Sequence, residues 1–125
     1  MNVDLEIFKA CADATRLRVL VLLAERELCV CELVDILEMP QGKISRHLTV
    51  LRRAGLVADR RDGTWINYSL QRADTPLTRR LLAYLKGEAR SGDTPTADLA
   101  RLRDLADCGE ICARQERLAR QLVQA

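Results

Sequence analysis

Residues 3–54 carry apolar positions at helical spacing in four successive stretches. Val3, Ile7, Ala10, Cys11 and Ala14 recur every three or four residues, which predicts a short first helix over residues 3–12. Asp13 is placed to cap a second helix, with Leu17, Leu20, Val21 and Ala24 as its apolar stripe. Cys29 to Glu38 reads as a third helix with Val30, Leu33, Val34 and Leu37 inward. Met39-Pro40 ends it, because the residue before a proline is pushed out of the α region. A fourth helix runs from about Gln41 to Ala54 on Ile44, Leu48 and Leu51, and Gly55 stands where a helix C′ glycine is expected.

The period changes after Gly55. Asp62-Gly63, with Val57 before it and Trp65, Ile66 and Tyr68 after it, predicts a β-hairpin over Leu56 to Leu70. Thr75 to Ala89 then reads as a fifth helix on Leu77, Leu81, Leu82 and Leu85. The run Ser91-Gly92-Asp93-Thr94-Pro95 predicts a turn, and a last helix begins near Thr96 with Leu99, Leu102 and Leu105 inward. Ile111, Leu118 and Leu122 fall on a different face, with Gly109 as the expected bend. Two short helices joined by a tight turn make a helix-turn-helix, and a hairpin directly after it is a wing. The predicted fold is mainly α with a β-hairpin wing: one winged helix-turn-helix domain over residues 1–125. Residues 29–54 form the helix-turn-helix and residues 56–70 the wing.

Composition narrows the setting. The 125 residues are 48% hydrophobic but only 3% aromatic, so the core is aliphatic, which suits helices better than a β-sandwich. A chain this short buries a limited fraction of its surface, and sharing a core between two subunits compensates. The N-terminus shows no basic patch followed by an apolar run, and no stretch approaches 18 apolar residues. The expectation is therefore a cytoplasmic chain, without signal peptide or membrane partner, whose thiols stay reduced. Five cysteines make an odd count for a disulfide framework and point to metal binding or redox sensing. No nucleophile–base pair, glycine-rich phosphate loop or catalytic carboxylate pair is present, so the chain does not read as an enzyme.

The net charge of +2 is unevenly spread. Residues 41–61 hold Lys43, Arg46, Arg52, Arg53, Arg60 and Arg61 against Asp59 alone, a net +5, while the remainder is slightly acidic. A basic middle of this kind predicts a polyanion-binding surface. In helix-turn-helix proteins the N-terminal residues of the second helix contact bases in the major groove. Gln41, Lys43, Ser45, Arg46 and His47 are the candidates here, each able to donate to base edges or phosphates. His47 has a second reading, a hydrogen bond inside the domain that holds the helix in place. Arg60 and Arg61 flank the hairpin tip and are candidates for phosphate or minor-groove contact. Arg52 and Arg53, at the far end of the helix, read as solubility or DNA-backbone residues, and Trp65 as the side chain that packs the wing.

Thiolates are soft ligands that select thiophilic ions, and two close together chelate. Cys29 and Cys31 are two residues apart, which on a regular helix points them about 200° apart. One ion held by both therefore requires an unwound or distorted start of the third helix, which would disturb the element that sets the recognition helix. Cys108 and Cys112 are at i, i+4, about 5–6 Å apart on one helical face. They are candidates for a third thiolate, from the same or the partner subunit, for a second site, or for plain packing. Cys11 reads as a core or dimer-interface residue.

Several segments together resemble the ArsR/SmtB family of metal-responsive repressors. They are Ala12-Asp13-Ala14-Thr15-Arg16-Leu17-Arg18-Val19-Leu20, Glu27-Leu28-Cys29-Val30-Cys31-Glu32-Leu33, Lys43-Ile44-Ser45-Arg46-His47-Leu48, Gly55-Leu56 and Gly63-Thr64-Trp65-Ile66-Asn67-Tyr68, in order over residues 5–72. The resemblance implies a homodimer with its first and last helices at the interface. It also implies a palindromic double-stranded operator as partner, release on binding an inducer, and no cofactor for DNA binding. The Leu-Cys-Val-Cys-Glu-Leu segment is similar to that of the arsenite and antimonite sensors, which implies As(III) or Sb(III) as inducer and Cys29 and Cys31 as its ligands. A further cysteine that often follows three residues later is Val34 here, and Pro40 stands where a serine N-cap is common. Whether Cys108, Cys112 or Cys11 supplies a third ligand, or none does, is thus left open by the sequence. Cd(II), Pb(II) or Bi(III) response through the same pair is the alternative within the family. A thiol redox or persulfide switch, with a bond between distant helices, is the alternative outside metal sensing. Zinc or nickel sensing fits less well, because His47 is the only histidine and lies in the DNA-reading helix.

Overall fold

A computed structural model describes residues 2–105 of the chain. Helix α1 (Asn2–Cys11) leads into α2 (Ala14–Glu25), a two-residue strand β1 (Leu28–Cys29), α3 (Val30–Leu37) and α4 (Gln41–Arg53). The hairpin strands β2 (Val57–Asp62) and β3 (Trp65–Leu70) follow, then α5 (Pro76–Lys86), a 3-10 turn at Glu88–Arg90 and α6 (Asp93–Asp104). The winged helix-turn-helix order is as the pattern predicts, with one addition. Strand β1 pairs antiparallel with β3, so the wing is a three-stranded sheet in the order β1-β3-β2. A two-residue strand has no periodicity of its own, and only its pairing with β3 reveals it. The expected bend at Gly109, and Cys108 and Cys112, lie outside the described residues.

Local chemistry sets the ends of most elements. Asp13 caps α2 by accepting the Arg16 N–H at 3.0 Å. Thr75 caps α5, with Pro76 in the first helical position. Helix α3 stops at Glu38, one residue before the expected Met39-Pro40 break. Glu38 takes a left-handed conformation (φ 54°, ψ 45°) and donates its N–H to the Val34 carbonyl at 2.9 Å. Gly55 has φ +81°, as a glycine just past a helix end should. The wing turn falls on Gly63-Thr64, with Asp62 still paired to Trp65. Gly63 has φ +64° and Thr64 does not have positive φ, which fits a glycine-first type II′ turn. Helix α5 is shorter than expected, because the chain turns out of the helix at Gly87 (φ −120°, ψ −101°). Helix α6 starts three residues earlier than expected, at Asp93. Pro95 is tolerated there because first-turn N–H groups have no intrahelical partner.

The core centres on α2, whose Val19, Leu20 and Leu22 are fully buried. Leu28 of β1, Leu33 and Ile36 of α3, and Ile44, Leu48 and Leu51 of α4 close over them with no exposed surface. Each such side chain contributes about 1.5–3 kcal/mol through burial. Helix α6 crosses back onto α2, where Arg18 forms a two-pronged pair with the buried Asp98 at 2.9 and 3.0 Å. On α1, Ile7 and Ala10 face the core while Val3, Leu5 and Phe8 remain exposed. Among the described residues no helix is long and apolar enough to cross a membrane.

Candidate functional site

The thiol pair lies where the wing sheet meets the helix-turn-helix. Cys29 is the last residue of β1 and the N-cap of α3, with extended backbone (φ −85°, ψ 164°). Cys31 is the second residue of α3. That one extended residue corrects the helical reading of Cys29. The two side chains do not diverge by 200°, because they do not share a helix. Their Cα atoms are 5.4 Å apart and the two sulfurs are joined as a disulfide. The two sulfurs meet without unwinding a helical turn, because Cys29 lies just outside α3. Cys29 is buried and Cys31 half-buried, so the pair is approached from the Cys31 side.

Glu32 makes this junction. Its side chain is buried, and one carboxylate oxygen accepts the Cys29 N–H at 3.1 Å, the return half of a capping box. The other oxygen accepts from Arg26 at 3.0 Å. Both carboxylate oxygens are thereby satisfied, and the extended form of the Cys29 backbone is favoured. Glu32 is not among the residues that sequence reasoning singled out. Its signal is an acidic residue three positions after a residue able to serve as N-cap, hidden because cysteine is an unusual cap.

Among the described residues no group of three or more histidine, cysteine, aspartate or glutamate side chains is arranged to hold a metal ion. The pair is thus a two-thiol site as described. Cys11 is free, half-buried at the end of α1 and packed against the core, and burial raises its thiol above the ordinary value.

The recognition helix α4 presents Gln41, Lys43 and Arg46 to solvent, opposite the buried Ile44, Leu48 and Leu51. Ser45 is half-buried, and its carbonyl accepts the Thr49 hydroxyl at 2.9 Å. His47 turns toward the α1–α2 corner. Its Nδ1 lies 3.2 Å from the Arg16 guanidinium and 4.0 Å from Asp13. Arg16 also donates to the Ala10 carbonyl at 2.6 Å, capping the end of α1. His47 therefore sits in the arrangement of its second reading, inside the domain. Asp13 is held below the usual carboxylate range, first by the Arg16 backbone N–H and then by the charges of Arg16 and His47.

The wing carries its own constraints. Arg61 is exposed near the tip. Arg60 reaches across the sheet to Glu27, the residue before β1, at 2.5 Å, and also lies 3.9 Å from Asp62. Arg52 pairs with Asp59 at 3.4 Å, tying the far end of α4 to β2. From α6, Arg101 donates to the Ile36 carbonyl at 2.8 Å and pairs with Glu38 at 3.0 Å, which satisfies the end of α3 at the helix-turn-helix corner. Glu27 and Arg101 are long-range partners that local sequence spacing does not reveal.

Known proteins place this architecture. The family model described as "Bacterial regulatory protein, arsR family" matches residues 13–59. The arsenic resistance transcriptional regulator ArsR1 of Pseudomonas putida is 57% identical over 65 residues, 51% of each chain. The arsenical resistance operon repressor of Escherichia coli is 51% identical over 67 residues, 53% of this chain and 57% of that protein. The matched segments thus span only about half the length of these curated relatives. Among solved structures, the homodimeric winged helix-turn-helix DNA-binding domain from Mycobacterium bovis is 31% identical. It superposes with a TM-score of 0.60 over 70% of this chain and 79% of that one.

Proposed function

This chain belongs to the ArsR family of bacterial regulatory proteins, and from that premise we propose that it is a homodimeric repressor induced by trivalent arsenic or antimony. It binds a palindromic double-stranded operator and leaves it when Cys29 and Cys31 capture the metalloid as thiolates. The observation that carries this reading is the convergence of the Cys29 and Cys31 sulfurs at the junction of the wing sheet and the first helix of the helix-turn-helix. Gln41, Lys43, Ser45 and Arg46 read the major groove, His47 holds α4 against the α1–α2 corner, and Arg60 and Arg61 take the backbone beside it. The role is regulation rather than catalysis.

Induction needs an ion that binds one conformation better than the other. A soft trivalent ion bridging the sulfurs fixes the β1–α3 junction, and that junction is covalently continuous with the helix that orients α4. A coupling of about 1–3 kcal/mol weakens operator binding roughly 5- to 150-fold. A third thiolate from Cys108 or Cys112 would complete a trigonal sulfur site.

The test is release of a fluorescent operator duplex, selected with this protein from a random-sequence pool, by arsenite, antimonite, Cd(II), Pb(II), Bi(III), Zn(II) and an organic polysulfide on reduced protein. Arsenite and antimonite release the duplex from wild type and not from Cys29→Ser/Cys31→Ser. A double variant that still responds normally overturns the site. Release by Cd(II), Pb(II) or Bi(III) alone moves the inducer to those ions. One observation favours a second reading: the two sulfurs are bonded to each other in the structure. Response to the polysulfide alone would make this local pair, rather than a bond between distant helices, a redox sensor.

A further inference from the structure

The sheet connects the thiol pair to the wing by one cross-strand row. Cys29 of β1 is paired with Asn67 of β3, and Asn67 is paired on its other side with Arg60 of β2. Directly opposed residues in an antiparallel pair project to the same face. Cys29, Asn67 and Arg60 therefore stand on one face, one strand apart at each step, about 4.8 Å per step. The guanidinium at the end of this row is drawn to Glu27, two residues before Cys29. The interaction is exposed, with the Arg60 side chain 58% and the Glu27 side chain 38% accessible. An arginine on a DNA-facing wing is thus engaged, in the free protein, by a carboxylate that belongs to the sensor segment.

We propose that Glu27 is a built-in competitor of the DNA phosphate for Arg60, and that through it the state of the Cys29/Cys31 pair sets the strength of the wing's grip on DNA. The second half rests on the function proposed above. A carboxylate and a phosphate oxygen compete for the same guanidinium donors. Asp62, 3.9 Å away, is the other acid near Arg60, but it lies on the same strand as Arg60. Glu27 instead directly precedes β1, the strand that carries Cys29. Linking the two sulfurs fixes β1 on the α3 N-terminus and with it the carboxylate beside Arg60. With the thiols unlinked, the junction can yield Arg60 to phosphate. The wing, and not only the recognition helix, is then an output of the sensor.

The competition is read by a double-mutant cycle on the full-length reduced chain: wild type, Glu27→Gln, Arg60→Gln and the double variant. Binding to the selected operator duplex is titrated over a series of salt concentrations, with and without arsenite, and arsenite occupancy is followed by thiol titration. Without arsenite, Glu27→Gln tightens binding by about two- to fivefold, the scale of an exposed ion pair. Arg60→Gln weakens binding and lowers the salt slope by about one. Glu27→Gln then has no effect in the Arg60→Gln background. With arsenite at equal occupancy, the fold-release of Glu27→Gln is smaller than that of wild type. Tightening that persists in the Arg60→Gln background would mean only a general charge effect and overturns the competition. An unchanged salt slope for Arg60→Gln overturns the phosphate contact. Equal fold-release in Glu27→Gln and wild type overturns the coupling. A wild type indifferent to arsenite overturns the inducer and the coupling together, while the arsenite-free arm still decides the competition.

Discussion

Removing the Glu32 carboxylate should separate the two thiols before it unfolds the domain. In Glu32→Ala the Cys29 N–H loses its acceptor at a buried position, which costs about 1–3 kcal/mol. The Arg26 interaction is also lost, but Arg26 is 44% exposed and rehydrates, so that part is below about 1 kcal/mol. The sum, about 1–4 kcal/mol, is a large share of the stability of a small domain. The functional effect is distinct. Once Cys29 no longer has its extended conformation imposed, chelation has to order it, at about 1–2 kcal/mol for one residue of backbone. Arsenite affinity then falls about five- to thirtyfold. Glu32→Gln is the control, since its side-chain carbonyl still accepts the Cys29 N–H and only the charge toward Arg26 is lost. It should cost below about 1 kcal/mol and leave arsenite affinity within about threefold of wild type. Urea denaturation of the reduced proteins gives the first quantity, and titration with arsenite of protein kept folded at low urea gives the second. Equal stability and equal arsenite affinity for the alanine and glutamine variants would refute the assignment of Glu32 as the residue that shapes the site.

Leu48→Ala, at a fully buried position of the recognition helix, should destabilise the domain by about 2–5 kcal/mol in urea denaturation, with the loss of DNA binding following unfolding. Arg46→Ala should leave stability unchanged and weaken operator binding by about tenfold, read by fluorescence anisotropy; a drop in stability instead would place Arg46 in the fold. Asp13→Ala removes the α2 cap and should cost about 1 kcal/mol near neutral pH. Because the folded-state value of Asp13 is depressed, its contribution is fully present above the ordinary carboxylate range and is lost as pH falls through the folded value. The gap between wild type and Asp13→Ala in pH-dependent melts should therefore close on strong acidification. Cys11, with its thiol raised by burial, should alkylate more slowly than a free thiol at neutral pH in a Cys29→Ser/Cys31→Ser/Cys108→Ser/Cys112→Ser background, and catch up as the medium becomes alkaline.

The elements that rest on local chemistry are legible in the order of residues alone. Asp13, Gly55, Thr75-Pro76 and the Gly63 turn all act within a few residues of themselves, and the apolar spacing of α4 assigned its buried face; in α2 and α3 the stripe left out Val19, Leu22 and Ile36, which are fully buried because those helices are packed against elements on more than one side. The solvent-facing side of α4 followed from the same periodicity, which set Gln41, Lys43 and Arg46 opposite Ile44, Leu48 and Leu51. Where spacing had two solutions, it left the choice open. His47 could face the DNA or the domain, and the partner that turns it inward, Arg16, comes from a different helix.

The sequence by itself determined that two cysteines with thiophilic chemistry open a helix-turn-helix, and the resemblance it carries implies a class of inducer. Only the tertiary structure decided that those cysteines meet. Leu28 and Cys29 are strand because they pair with Tyr68 and Asn67, far along the chain, and a two-residue strand leaves no pattern to read. That pairing makes Cys29 extended, Glu32 holds it there, and the next residues turn at once into α3. The same pairing places Cys29 in register with Arg60, so the cysteine segment and the wing hairpin share a sheet. Periodicity records which face of an element is buried; it does not record which distant strand an edge will find.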